Sequence, residues 1–231
     1  QKTAYEIGVR LVGSEMCIRD RCTNPPKHLP YEKLKNNADS ITVEDSESND
    51  EDIRDRTIWQ KPYEVIHMLG SLEGKTVADI GAGSGYFSFR FIYEAAHVIA
   101  IDIEPELIQL MDQEIKFYKQ DLQDKIEARL ATPNDPKLQP AEVDIVFMSN
   151  TYTYLPNRVN YLKELKSKFK PGGKIMIIDF KKKLSPIGPA QKNRLAQSEV
   201  EQNLLDAGYR LLVSDDRKLE YQYIIIAEPK P

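Results

Sequence analysis

The sequence predicts an α/β fold: a seven-stranded, mostly parallel sheet with helices on both faces, finished by an antiparallel C-terminal hairpin. Three observations predict it. Short runs rich in Val and Ile alternate with helical patterns through most of the chain, as in parallel sheets covered on both faces. A glycine-rich turn joins the first of these strands directly to a helix. Near the C-terminus the strand patterns 209–215 and 219–229 lie only a few residues apart. That gap is too short for a parallel crossover, so the two pair as a hairpin.

The elements follow in order. "TIWQKPYEVIHMLGSL" (57–72) carries Ile58, Val65, Ile66, Met68 and Leu69 and reads as a short amphipathic helix ending at Gly70, with Pro62 suited to a helix start. Residues 75–81 read as a strand, 85–96 as a helix and 97–103 as a strand. A helix over 105–122 has Pro105 in its first turn, and 125–132 is a weaker strand. A loop rich in Pro, Asn and Asp (132–140) leads to a strand over 143–150. The helix over 157–169 takes Asn157 as its cap, and the turn at 171–173 launches a strand over 174–180. The helix over 198–208 opens on a capping box of Ser198 with Glu201 and closes at Gly208. There is no internal repeat.

Order is expected from residue 53 to the end, as one domain. Residues 22–52 include the acidic run "VEDSESNDED" (43–52) and almost no periodic apolar residues. Such a segment buries too little surface to offset its ordering entropy, so a disordered acidic leader is expected. The first 21 residues, "QKTAYEIGVRLVGSEMCIRDR", lack an initiator Met and an apolar run of signal-peptide length, and their acidic residues argue against a transit peptide. They read instead as translated sequencing adapter. ATG TGT ATA AGA GAC AGR encodes Met16 to Arg21, and the same frame continued upstream through the adjoining adapter, index and primer accounts for every residue back to Gln1.

Removing the four basic and three acidic residues of that stretch leaves 28 Lys and Arg against 33 Asp and Glu, a net charge of −5. A mildly acidic domain lacks the concentrated basic face that binds nucleic-acid phosphate, so nucleic acid is not an expected partner. No apolar run approaches a membrane span. Cys17 falls in the adapter stretch, and Cys22 alone permits neither an internal disulfide nor a cysteine-based zinc site. No metal is expected. Cys22 followed by "TNPPKHLP" resembles the start of a mature bacterial lipoprotein; a membrane association through Cys22 and an incidental cysteine are both open.

The chemistry lies in "VADIGAGSGYFSFR" (77–90). Gly81, Gly83 and Gly85 let the backbone turn sharply and approach a ligand with no Cβ in the way. A dinucleotide site would need a third glycine at Tyr86 and would not place a carboxylate, Asp79, beside a phosphate. A carboxylate there suits a cationic ligand.

This pattern resembles motif I of the class I S-adenosylmethionine (SAM)-dependent methyltransferases, whose single Rossmann-like domain matches the predicted order of elements. The resemblance covers roughly residues 58–228. It implies that Asp79 lies near the amino-acid end of SAM and that Gly81, Ala82, Gly83 and Gly85 pack against its methionine and ribose. Asp102, at the end of "HVIAID", takes the place of the acid that holds the ribose hydroxyls, with Ile103 beside it. "VDIVFMSNTYTYL" resembles the fourth strand and the loop bordering the reaction centre, which brings in Asn150, Tyr152 and Tyr154. Thr132 stands where many members have an acid near the adenine, and no His follows strand four.

The implied activity is methyl transfer to a small molecule, with Tyr152, Tyr154 and Asp179 as candidate catalytic residues. Asp179 and Lys181, at the end of a parallel strand, are candidate substrate contacts. Trp59, the only tryptophan, is either core or a lid over SAM. His67 and His97 read as packed structural residues. Tyr86, Phe87, Phe89 and Phe91 read as helix packing, with Tyr86 near enough to the turn to touch a ligand. "TNPP" at 23–26 imitates an amino-methyltransferase motif in the wrong place.

The need for SAM implies a cytoplasmic location. Two other readings stay open: a non-catalytic SAM-binding or surface-anchored lipoprotein with this fold, and an NAD-dependent oxidoreductase. The oligomeric state is not indicated. An independent read of the source DNA is expected to show a different sequence upstream of codon 22; a transcript carrying this 5′ end natively would refute the adapter reading.

Overall fold

Every strand pattern in the sequence becomes a strand. The computed structural model describes residues 56–230. The adapter stretch, the acidic leader, Cys22 and the first residues of the expected domain lie outside them. The strands are β1 (Thr76–Ile80), β2 (His97–Asp102), β3 (Ile126–Leu130), β4 (Val143–Ser149), β5 (Phe169–Phe180), β6 (Tyr209–Asp215) and β7 (Gln222–Pro229). They form one sheet in the order β3-β2-β1-β4-β5-β7-β6. β1 pairs in parallel with β2 and β4, and β3 and β5 extend the parallel part outward. β7 then inserts antiparallel between β5 and β6. The expected hairpin is therefore present, and its second strand is the inner one.

Alternation along the strands divides the core. Ile99 and Ile101 of β2, Val146 and Met148 of β4, and Ile175 and Ile177 of β5 point to one face. There they pack against α6 (Arg158–Leu165) and α7 (Gln197–Asp206) through Leu162, Leu165, Val200 and Leu204. Val98, Ile145, Phe147, Met176 and Ile178 point to the other face. They meet α2 (Pro62–His67), α3 (Ser88–Phe91) and α4 (Pro105–Ile115) through Val65, Ile66, Phe91 and Met111. The strands are apolar on both faces because both faces are covered.

Three helix expectations are corrected. The single helix over 57–70 is two, α1 (Arg56–Gln60) and α2. Lys61 between them sits at φ 45, ψ 59, in the left-handed region; Pro62 after it disfavours the right-handed helical conformation that would join the two. The helix over 85–96 has regular geometry only over α3. Three-residue bonds from Arg90 N–H to Phe87 O (2.8 Å) and Glu94 N–H to Phe91 O (2.9 Å) tighten its ends. The helix over 105–122 stops at Ile115 and resumes as α5 (Gln120–Gln123); the break seats Tyr118 flat on Phe89, with ring centroids 5.0 Å apart.

The caps also differ. Asn157 precedes α6 but makes no side-chain cap; it supplies the left-handed turn, φ 50. α7 begins one residue early, so Glu199 rather than Glu201 reaches back, accepting the Ala196 N–H at 2.7 Å. The 171–173 turn lies inside β5, a 12-residue strand. His67 is not packed: its side chain is 71% exposed and faces Glu94. Among the described residues no helix is long and apolar enough to cross a membrane.

Phe147 lies at the centre of the second core, with the rings of Phe87 and Phe91 at 4.6 and 5.1 Å. Phe147→Ala is expected to cost about 3–5 kcal/mol of unfolding free energy, measurable by urea denaturation.

Candidate functional site

The strand order reverses between β1 and β4, and the crevice beyond the carboxyl ends at such a point is where ligands bind in open α/β sheets. After β1 the chain turns through Gly81, whose N–H and that of Ala82 both donate to Ile101 O, at 2.8 and 2.9 Å. Gly81 has φ +75, and a Cβ on it would stand 2.1 Å from Thr151 Oγ1. Glycine alone lets the ends of β1 and β4 come this close. Gly83, at φ +60, differs: a Cβ there would meet nothing within 4 Å. The turn opens onto free space.

Asp102 is 8% exposed. Its Oδ2 accepts the Gly83 N–H at 2.8 Å, and its Oδ1 accepts those of Ile103 (2.8 Å) and Glu104 (3.2 Å). The carboxylate thus ties the glycine turn to the end of β2 and keeps unused lone-pair capacity. It borders a cavity of about 300 Å³ whose lining includes Gly81, Ile103, Glu104, Thr132, Asn150 and Tyr154. Six residues singled out from the sequence therefore meet there: Gly81, Asp102, Ile103, Thr132, Asn150 and Tyr154. A second cavity, about 320 Å³, opens between Asn134–Pro136 and α6 and touches neither the glycine turn nor Asp102.

Asp79, Ala82, Gly83, Gly85 and Trp59 are not in that lining. Asp79 is 2% exposed and its Oδ2 accepts the Ser88 hydroxyl at 2.6 Å. Burial pushes its carboxyl from the ordinary 3.8 up to about 6, against the opposing pull of Ser88 and of Arg56; Asp102 nearby adds to the rise. Arg56 is close by. Its guanidinium lies 4.0 Å from the centre of the Tyr86 ring, which Arg90 covers at 3.9 Å. Tyr86 is thus held between two cations. Gly85 stays small because a Cβ would strike the Phe89 ring at 2.4 Å.

Beyond β4 the three proposed catalytic side chains separate. Tyr152 is fully buried, and burial pushes its phenol up to about 12. It belongs to the core and does not fit a base that meets substrate. Asp179 is 3% exposed and committed: Oδ2 accepts the backbone N–H (3.1 Å) and hydroxyl (2.9 Å) of Thr153, and Oδ1 accepts the Phe180 N–H (2.8 Å). It clamps the 152–154 turn to the end of β5. Only Tyr154, 66% exposed, stands at the cavity; burial and then Asp179 push its phenol above the ordinary value. Lys181 Nζ donates to Leu219 O (2.7 Å) and Glu220 O (2.9 Å), bracing the approach to β7.

Trp59 packs against Phe180, ring centroids 5.7 Å apart, rather than over the cavity. Sequence reasoning missed its neighbours. Gln60, wholly buried, donates to Ser149 Oγ (2.9 Å) and Gln222 Oε1 (3.0 Å), and Arg56 donates to Gln60 Oε1. Gln222 in turn donates to Asn150 Oδ1. A polar Gln opening the apolar run "QYIIIA" was the available signal. No cluster of metal-ligating side chains occurs among the described residues.

Known proteins resemble this chain in sequence and fold. A family model described as a methyltransferase domain matches residues 71–222. A tRNA U34 carboxymethyltransferase from Hydrogenovibrio crunogenus is 33% identical over 127 residues, 52% of this chain and 38% of that protein. Phosphoethanolamine N-methyltransferase 1 of Triticum aestivum is 34% identical over 145 residues, 59% and 27% respectively. The chain thus spans about a third of the length of these relatives. The crystal structure of a SAM-dependent methyltransferase from Aquifex aeolicus superposes with a TM-score of 0.69 at 26% identity, covering 77% of this chain and 95% of the other. With its sheet order, its glycine turn and the acids at the carboxyl ends of β1 and β2, the chain belongs to the methyltransferase-domain family and has the class I SAM-dependent methyltransferase fold.

Proposed function

We propose that the protein transfers the methyl group of SAM to a small-molecule acceptor. The observation that carries this reading is the cavity bordered by Asp102 and the glycine turn at the carboxyl ends of β1 and β2. The residues fit the cofactor: Gly83 leaves open the space that a Cβ would enter, Asp102 retains an unused lone pair on Oδ2 for a ribose hydroxyl, and buried Asp79 offers a carboxylate to an amine. Ile103, Thr132 and Asn150 would border the bound nucleoside and sulfonium.

When bound, SAM supplies a methyl group already activated by its sulfonium, for an in-line displacement. The chain's own contribution is then proximity and alignment. Tyr154 is the accessible titratable side chain among those expected to act; with its phenol raised, it serves as a hydrogen-bond donor to the acceptor rather than as a strong base. The net negative charge supports a small acceptor. The tRNA-modifying relative favours a second reading, an RNA acceptor. Radiolabelled SAM offered with a metabolite extract and, separately, with total tRNA decides between them. Label in the tRNA alone overturns the small-molecule reading. The need for SAM supports a cytoplasmic location.

Asp102→Ala is expected to weaken SAM binding by at least about tenfold, the loss of one or two charge-assisted hydrogen bonds. Isothermal titration measures it, and unchanged affinity in a folded variant would refute the assignment. For Asp79 the folded-state value, about 6, lies above the ordinary 3.8. Its protonated form therefore favours folding below about pH 4, and that contribution is lost as the pH rises through about 6. Asp79→Asn is expected to raise the melting temperature at about pH 8 with no comparable gain at about pH 4, while weakening SAM binding at both.

A further inference from the structure

Building on the reading of the chain as a methyltransferase, we propose that the methyl acceptor presents an anionic oxygen, a carboxylate or a phosphate, to the side-chain amide of Asn150. Gln60 and Gln222 are positioning residues that hold this amide with its N–H groups toward the ligand.

The direction follows from hydrogen-bond logic. Arginine can only donate, so the Gln60 atom facing Arg56 is its carbonyl oxygen. Gln60 must then turn its NH₂ toward Ser149 and Gln222, and both of its N–H groups are used there, at 2.9 and 3.0 Å. Gln222 meets Gln60 with its oxygen and so meets Asn150 with its NH₂. Asn150 therefore spends its oxygen on Gln222, and its own NH₂ is left to donate. Reversing any one amide would set donor against donor or acceptor against acceptor in a region where Gln60 and Gln222 are fully buried, and an unpaired buried polar group is strongly unfavourable. The Asn150 backbone is fixed as well, at φ 60 with its N–H donating to Ile178 O at 2.8 Å.

The place of Asn150 points to the acceptor. The acid that would hold ribose ends β2 and the glycine turn follows β1, so the cofactor spreads from β1 toward β2 and β3. Asn150 follows β4, on the opposite side of the switch point, and still lines the cavity. Several other polar groups on this side are donors or cations. The indole N–H of Trp59 is buried with no hydrogen-bond partner. Lys183 and Lys192, on the segment after β5, are exposed and make no ion pair among the described residues. The carboxylate at hand, Asp179, already accepts three hydrogen bonds. Donors thus gather on this side, in the Asn150 NH₂, the Trp59 indole and the two lysines, and they suit a group that brings lone pairs.

Trp59, the only tryptophan, reports on this region by its fluorescence. The full chain saturated with S-adenosylhomocysteine is titrated with benzoate, phenyl phosphate and benzylamine, three probes that share a ring and differ in their polar group. Benzoate or phenyl phosphate is expected to bind at least about tenfold more tightly than benzylamine. Asn150→Asp, which keeps the oxygen for Gln222 and replaces the donor by an acceptor, is expected to abolish that ratio, and Gln222→Leu to reduce it toward one. A role that is only structural would weaken all probes together and leave the ratio intact. If the Asp substitution unfolds the chain, Asn150→Ser removes the donor without adding charge. Equal or tighter binding of benzylamine, no binding of either anionic probe, or a ratio that survives at position 150 overturns the proposal. Failure of the wild-type chain to bind S-adenosylhomocysteine at all would instead overturn the methyltransferase reading on which it rests.

Discussion

A sheet buried on both faces can place polar groups only at its ends, and this constraint organises the molecule. Asp79, Asp102, Ser149 and Asp179 are the last or next-to-last residues of β1, β2, β4 and β5, and Gln222 begins the antiparallel β7 at the same end. All five are buried, so each must find a partner or lose stability. The partners come from the segments that cap the sheet: Ser88 for Asp79, the glycine turn for Asp102, Thr153 for Asp179, and Gln60 for Ser149 and Gln222. The groups that make the crevice polar are the same ones that pin its walls.

The two sides of the crevice differ in electrical character. On the β1–β2 side lie two buried carboxylates close enough for Asp102 to raise the Asp79 carboxyl further. A cation entering there relieves their repulsion. On the β4–β5 side Asp179 is held by three hydrogen bonds, and the Asn150 amide and the Trp59 indole present donors. A ligand pair with its positive charge toward β1 and lone pairs toward β4, as proposed above, would match both sides.

Much of this was legible in the sequence because it is local. Seven Val- and Ile-rich runs become seven strands, and the carboxylates of Asp79 and Asp102 fall where strand ends place them. Other features are not local. Lys61 breaks a helix that apolar spacing alone would continue, because the constraint comes from Pro62 and not from burial. Tyr152 and Tyr154 look alike in "TYTYL", yet a tight 3₁₀ turn buries the first and exposes the second. The amide chain joins residues as far apart as Gln60 and Gln222, and no spacing rule connects positions separated by 162 residues. Asp179 stood in the right place, but its commitment to Thr153 becomes visible only when the 152–154 turn is seated beside it.

The insertion of β7 between β5 and β6 has a consequence for the order of assembly. As the chain emerges during synthesis, β1 to β5 can pair one after another, but β6 has no seat until β7 is available to join it to β5. Gln222, the link through which Gln60 reaches Asn150, is the first residue of that late strand. The donor at Asn150 is therefore aimed only in a chain synthesised through its final strand, and an intermediate stalled before it would carry a nearly complete sheet with an unaligned crevice and an open, apolar β5 edge.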